Sequence, residues 1–163
     1  MRSFCARYTY TARITWDRHG ATFTGGRYSR GHEWSFDGGV TVAASASPSH
    51  VPAPYSVVDA VDPEEALVAA ASSCHMLMFL FLAAKRQLMV DRYVDEASGV
   101  MEQNGEGRLA FSRITLRPQI RFAGEAPPSD EEIAALHHAA HDGCYVANSL
   151  KCDVVVEPGA AEV

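Results

Sequence analysis

The sequence predicts an α+β fold in a single domain, residues 1–163, on three observations. A long helical run from Ala66 to Ala84 is apolar and carries no formal charge. Alternating, strand-like segments lie in groups on either side of it, instead of interleaving with helices one by one as in a doubly wound sheet. A second, amphipathic helix pattern follows Pro128, and a short apolar strand closes the chain. With 163 residues, 47% of them hydrophobic and 21% charged, there is material for one sizeable core.

The elements follow in order. Tyr8 to Trp16 alternates apolar and polar residues, the pattern of a strand with one wet face. Gly20, Gly25 and Gly26 punctuate the next stretch, which predicts strands over Ala21 to Thr24 and Gly31 to Phe36. Asp37-Gly38-Gly39 is a turn signal, and Val40 to Ser45 reads as the returning strand. Ser47 to Pro54 holds three prolines without periodicity, as an extended loop does. The long helix opens at Asp62-Pro63-Glu64-Glu65, with Asp62 as N-cap, Pro63 in the first helical position and Glu65 completing a capping box. It should end near Leu88, with Lys85 and Arg86 at the negative end of the helix. Tyr93 to Glu102 and the alternation from Ile114 to Phe122 each predict a strand. Ala126-Pro127-Pro128 breaks the chain, Ser129 caps the second helix with Glu132 at the box position, and Gly143 ends it. Cys144 to Leu150 reads as a short helix and Cys152 to Glu157 as the last strand.

Composition excludes some functions. A net charge of −6 argues against nucleic acid or an anionic membrane surface as the main partner. Ala66 to Ala84 approaches bilayer-spanning length, but Ser72, Ser73, Cys74 and His75 at its centre suit a buried helix better than hydrocarbon. Met1 to Tyr10 has no apolar core segment of a signal peptide. Four cysteines in a chain of this length do not form a disulfide framework. The expected setting is a reducing, cytoplasmic one.

Two cysteines carry the chemistry. Cys74 is flanked by small residues within the helical run, and Cys144 follows Gly143 at a helix boundary. A sulfenic acid formed on one thiol can condense with the other, which suggests a peroxidatic and a resolving cysteine. The plain alternative for Cys74 is a small core residue, inert because burial raises a thiol's pKa. Reactivity demands a cation, and Arg27 and Arg30, beside Tyr28 and His32, are the candidates. Glu64 is a first-turn acid that could also hold such an arginine by a bidentate pair. Helical rise separates Glu64 from Cys74 by roughly 15 Å, so both could serve one site only through a bridging arginine or a second subunit. Cys144 would sit near a helix amino terminus, where a thiolate is favoured. Cys5 and Cys152 lie in or beside strand-like sequence and are expected to be structural. A metal reading competes: His137, His138 and His141 precede Cys144, His137 and His141 share a helix face at the spacing of many zinc ligands, and His75 and Cys74 could add ligands. No acidic residue is placed as the general base of a zinc hydrolase.

Asp62-Pro63-Glu64-Glu65, Ser72-Ser73-Cys74-His75 and Cys144-Tyr145-Val146-Ala147-Asn148-Ser149-Leu150 resemble the OsmC/Ohr family of thiol peroxidases, linked in bacteria to organic hydroperoxide resistance. The steps from Glu64 to Cys74 and from Cys74 to Cys144 match the family's pattern, and the resemblance spans most of the chain. It implies antiparallel sheets around a long central buried helix and an intertwined homodimer with sites shared at the subunit interface. It further implies Cys74 as the peroxidatic cysteine, Cys144 as the resolving one and Glu64 as the acid that holds the catalytic arginine. Gly25-Gly26-Arg27 looks like the family's Gly-Gly-Arg, but the spacing from Arg30 to the Asp37-Gly38 turn agrees better. Arg30 is therefore favoured and Arg27 stays open. The chain departs from the best-known members at His75, where an aromatic is commoner, and at Tyr145-Val146, where many relatives have Pro after the second cysteine. It looks like a divergent branch.

The implied activity is reduction of an organic hydroperoxide, reset by an external dithiol of lipoyl type, with no metal or organic cofactor. Met76, Met78, Phe79 and Phe81 would supply apolar surroundings for the substrate. The alternatives are a non-catalytic stress-response binding protein with structural cysteines, and a zinc-binding protein using the His137/His141/Cys144 cluster.

Overall fold

The computed structural model describes residues 7–124 and 128–159, and the chain divides into two compact units between Glu64 and Glu65. Cys5 and the Ala126-Pro127 portion of the predicted break lie outside the described residues.

The first unit is built on a three-stranded antiparallel sheet in the order β1 (Ala12–Thr15), β2 (His32–Phe36), β3 (Thr41–Ala44). The strand expected over Tyr8 to Trp16 is confined to β1, an edge strand exposed on both faces instead of one. Asp37-Gly38-Gly39 turns the chain as predicted: Gly39 adopts φ 83°, which a side chain would resist, and its N–H donates to the Phe36 carbonyl at 3.0 Å. The strand expected over Ala21 to Thr24 is instead a turn with one isolated bridge, Thr22 to Arg27. Gly20 and Gly26 both take left-handed conformations there and bend the chain out of extension. After β3 the wholly buried Ser45 accepts the Val57 N–H at 2.9 Å on its hydroxyl, which ties the proline-rich loop back to the sheet.

Helix α1 (Pro63–Lys85) starts directly after Asp62, as predicted. It ends at Lys85, short of Leu88, because Gln87 reverses the chain at φ 61° while the Arg86 and Gln87 amides close the last turn. Its buried stripe is Ala71, His75, Phe79 and Ala83, one residue per turn. On another face Leu77 and Phe81 remain 63% and 53% exposed. By length and composition α1 could cross a membrane, and its buried stripe is part of the core of the second unit.

In the second unit the two predicted strands become four. β4 (Val90–Asp95) pairs antiparallel with β7 (Pro118–Phe122), and a separate sheet has the order β5 (Ser98–Gln103), β6 (Leu109–Leu116), β8 (Asp153–Val156). Both breaks meet at one carboxylate. Asp95 ends β4 and accepts the Arg117 N–H at 2.6 Å between β6 and β7, and its other oxygen accepts the Ser72 hydroxyl of α1 at 2.5 Å. Pairings are antiparallel except β6 with β8, which is parallel. The long return through α2 allows that pairing.

Helix α2 (Asp130–Gly143) has the full capping box read from the sequence: Ser129 Oγ accepts from the Glu132 N–H and Glu132 accepts from the Ser129 N–H. Ile133, Leu136, His137 and Ala140 form its buried face. In one cluster Phe79 and Ala83 of α1 and Ile120 and Phe122 of β7 pack with Ile133, Leu136 and Ala140. A second cluster centres on Ala71, Ile114 and Leu116, with Cys152 packed against it as a structural cysteine. The helix expected over Cys144 to Leu150 is only a 3-10 turn, Ala147–Ser149.

Candidate functional site

Cys74 and Cys144 come together in the second unit. The Cys74 thiol stands close enough to the Cys144 thiol to raise its pKa, although seventy positions separate them in the chain. α1 supplies Cys74, and the turn that leaves α2 supplies Cys144. The two differ in access. Cys144 is 1% exposed, whereas Cys74 is half-buried and lines a cavity of about 310 Å³. Ser73, Leu77, Met78, Phe81, Gly143 and Tyr145 complete that lining. Of the apolar residues expected near Cys74, Met78 and Phe81 are in the cavity wall, while Phe79 belongs to the core.

The electrostatics of Cys144 differ from the sequence expectation. Its sulfur does accept the Ala147 N–H at 3.4 Å, as a thiol at the start of a helical turn should. Burial outweighs this and pushes its pKa up, and the Cys74 thiol raises it further by accepting its proton in a hydrogen bond and by charge repulsion. Cys144 is thus held as a thiol, and the favoured thiolate predicted for it does not arise.

Gly143 lies under the Met78 side chain. A Cβ there would lie 3.0 Å from Met78 Cε and 3.1 Å from its Cγ and Sδ. Met78 therefore lies directly over the residue that precedes Cys144, and it stands one helical turn beyond Cys74.

The histidines form a different arrangement from the proposed zinc cluster. His75 Nε2 and His137 Nδ1 are 3.0 Å apart, one donating and the other accepting, with their rings stacked at 5.4 Å. Both are buried, and burial lowers the pKa of each to about 4, assisted at His75 by the positive charge His137 would carry. His137 is thus committed to His75 and Cys144 to Cys74. Among the described residues, no three His, Cys, Asp or Glu side chains stand close enough to hold a metal ion. The set His137, His141 and Cys144 is not brought together: His137 and His141 line one cavity with His138, while Cys144 is turned towards Cys74.

The arginine candidates lie in the first unit. Arg30 lines an apolar cavity of about 470 Å³ with Trp16, Phe23, Tyr28 and His32, while Arg27 is exposed and is not part of that lining. Arg30 Nη1 donates to the carbonyls of Gly26 at 2.8 Å and Tyr28 at 2.6 Å, and its guanidinium stacks 3.9 Å from the Tyr28 ring centre. Trp34 Nε1–H donates to His32 Nε2, so His32 Nδ1–H donates to the Arg30 carbonyl at 2.8 Å. Among the described residues no ion pair joins Arg30 to Glu64, so backbone carbonyls hold this arginine in the single chain.

Sequence reasoning missed the His75–His137 pair, the Ser72–Asp95 bond and the Met78–Gly143 contact. All three join residues far apart in the chain, and only the helical spacing of Cys74 and Met78 hinted at the last.

No curated protein matches the sequence. Among solved structures, an OsmC-like protein of unknown function from Vibrio cholerae is 45% identical, with a TM-score of 0.92, covering 94% of this chain and 100% of that one. An organic hydroperoxide resistance protein from Elizabethkingia anophelis shares the fold at 18% identity and TM-score 0.71, covering 98% of this chain and 99% of that one. OhrB of Bacillus subtilis, another organic hydroperoxide resistance protein, does so at 19% identity and TM-score 0.64, covering 92% and 98%. The family model described as OsmC-like protein matches residues 57–158, a span that holds both cysteines and all of α1 and α2. The chain belongs to the OsmC-like family.

Proposed function

We propose that the protein is a thiol peroxidase that reduces organic hydroperoxides, with Cys74 as the attacking thiol and Cys144 as the resolving one. The observation that carries this is the contact between two free thiols at the wall of an apolar cavity. Their roles follow from access and proton affinity. Cys144 is enclosed and keeps its proton, whereas Cys74 faces the cavity. The Cys74 thiolate attacks the distal oxygen of the hydroperoxide, the O–O bond breaks, and the alcohol leaves with a proton. Cys74 is then a sulfenic acid, oxidised by two electrons. Cys144 displaces its hydroxyl as water and forms the disulfide, and an external dithiol, of lipoyl type in this reading, returns both thiols by exchange. Leu77, Met78 and Phe81 favour an organic peroxide over hydrogen peroxide. Arg30 is the cation assigned to the thiolate, with Arg27 the alternative, and Glu64 is assigned to orient it.

The same reading makes the protein a cytoplasmic homodimer with shared sites, a single functional domain in each chain. Exposed Leu77 and Phe81 on α1 and the two-sided exposure of β1 are the apolar surface a second copy would cover. Mixed Cys74→Ser and Glu64→Ala subunits should then regain activity, and a fully active monomer by sedimentation would refute the dimer.

The direct assay is consumption of an organic hydroperoxide with dihydrolipoamide as reductant. Wild type should turn over and Cys74→Ser should not. Turnover by Cys74→Ser within a fewfold of wild type would sink the mechanism.

A further inference from the structure

The peroxidase reading uses Met78 only as apolar wall and leaves its sulfur without a role. Met78 follows Cys74 by one turn on the same helix, and both line the same cavity of about 310 Å³. Its sulfur, Cγ and Cε press against Gly143, within 3.0–3.1 Å of where any Cβ would stand. The next residue is Cys144, whose N–H is tied to the His141 carbonyl at 3.1 Å and whose sulfur meets Cys74. The Met78 thioether is therefore a packed spacer between the helix that carries one thiol and the turn that carries the other.

We propose that Met78 is a second oxidation site whose sulfoxide uncouples Cys144 from Cys74. The proposal rests on the peroxidase reading for its oxidant, the organic hydroperoxide admitted to the cavity. The Met78 sulfur attacks the distal peroxide oxygen, an S=O bond forms as the O–O bond breaks, and the hydroperoxide's proton ends on the departing alcohol. The sulfur is oxidised by two electrons and the peroxide reduced by two. The product is polar and carries an added oxygen on a sulfur packed over Gly143, where even a Cβ would be a tight fit. It must swing away or push the Gly143-Cys144 turn outward, and either movement takes the Cys144 thiol off Cys74. Peroxide overload then leaves Cys74 able to react but unable to form its disulfide.

The test has two arms, neither of which depends on turnover. In the first, the full chain is exposed to excess tert-butyl hydroperoxide and sampled at partial oxidation, and peptide mass spectrometry compares Met78 with Met89, which is 66% exposed. Met78 should accumulate about fivefold more sulfoxide than Met89, against the order that exposure alone would set. In the second, diamide closes the Cys74–Cys144 disulfide in Met78→Gln, a polar stand-in for the sulfoxide, and in Met78→Leu, an apolar control. Met78→Gln should close it about tenfold more slowly than wild type, and Met78→Leu at the wild-type rate. Met78 remaining reduced while Met89 oxidises, or Met78→Gln closing as fast as wild type, overturns the proposal. So does equal slowing in both variants, which would make packing volume and not oxidation the cause. Turnover of fresh, reduced enzyme is measured in parallel and reports on the peroxidase reading alone.

Discussion

Consecutive residues of α1 make two superficially similar pairs. Cys74 meets Cys144 and His75 meets His137, each partner coming from α2 or the turn that follows it. The imidazole pair is the more deeply enclosed: both rings are buried, Phe79 packs at 4.5 Å from the His137 ring, and only the His137 edge reaches a cavity, which it shares with His138 and His141. The thiol pair has one buried member and one that faces a cavity. Contact between reactive groups is common to both, and access separates them. A hundred-degree rotation along one helix is enough to turn a reactive position into a core position. His75 and His137 link the two helices, and Cys74 and Cys144 are the pair to which the proposed chemistry is assigned.

The largest effect that sharpens this contrast is expected from Cys144→Ser. Turnover should fall by about a hundredfold or more, yet the variant should consume one equivalent of peroxide and stall as sulfenic acid or go on to higher acids. Stopped-flow consumption with mass spectrometry of the product reads both, and a variant that still forms an intramolecular disulfide would break the pairing. Gly143→Ala comes next. The added methyl collides with Met78, which should cost about 1–3 kcal/mol in a denaturant titration and slow disulfide closure severalfold. Wild-type stability and closure rate would show that the turn tolerates movement.

The imidazole pair makes a prediction of its own. The folded-state pKa of each ring is lowered to about 4 from an ordinary value of 6.5. Between these limits the unfolded chain binds protons that the folded chain refuses, so stability should fall as pH drops from 6.5 towards 4. His137 and His141 are the positive neighbours of His75, and Asp95 offsets them in part. Thermal melts should show a shallower acid slope in a His75→Phe/His137→Leu double variant, with peroxide turnover at pH 7 changed less than by Gly143→Ala. An unchanged slope would mean that the pair does not govern acid stability. The smallest effect is Ser72→Ala. Losing its bond to Asp95 should cost about 1 kcal/mol, because Asp95 keeps the Arg117 amide. A loss several times larger in the same titration would show that Ser72, and not the apolar stripe, positions α1.

What the sequence disclosed and what it hid divide along the range of the forces involved. The Ser129-Glu132 box, the Asp62-Pro63 start and the Asp37-Gly38-Gly39 turn are local chemistry, and each appears where it was expected. The break at Arg117 was hidden because alternation continues through it from Ile114 to Phe122, and Asp95 carries no local sign of its partners. The two are joined by a hydrogen bond between positions twenty-two apart. Both cysteines and Arg30 were legible as candidates from residue type, motif spacing and family resemblance. The protonation of Cys144 was not, since its place at the start of a helical turn pointed one way and its burial decided the other. The zinc set depended on packing in the same way: helical spacing does align His137 with His141 at one cavity, and only the packing shows Cys144 turned towards Cys74 instead.

The central claim is that the Cys74–Cys144 contact is a working redox pair. Its most direct test is addition of one equivalent of an organic hydroperoxide to the reduced full-length protein, followed by non-reducing digestion and mass spectrometry. A single cross-linked peptide pair joining Cys74 to Cys144, two hydrogens lighter than the thiols and absent from Cys74→Ser, is the predicted result. Unconsumed peroxide with both thiols intact, or a product linked through Cys152 instead, would contradict it.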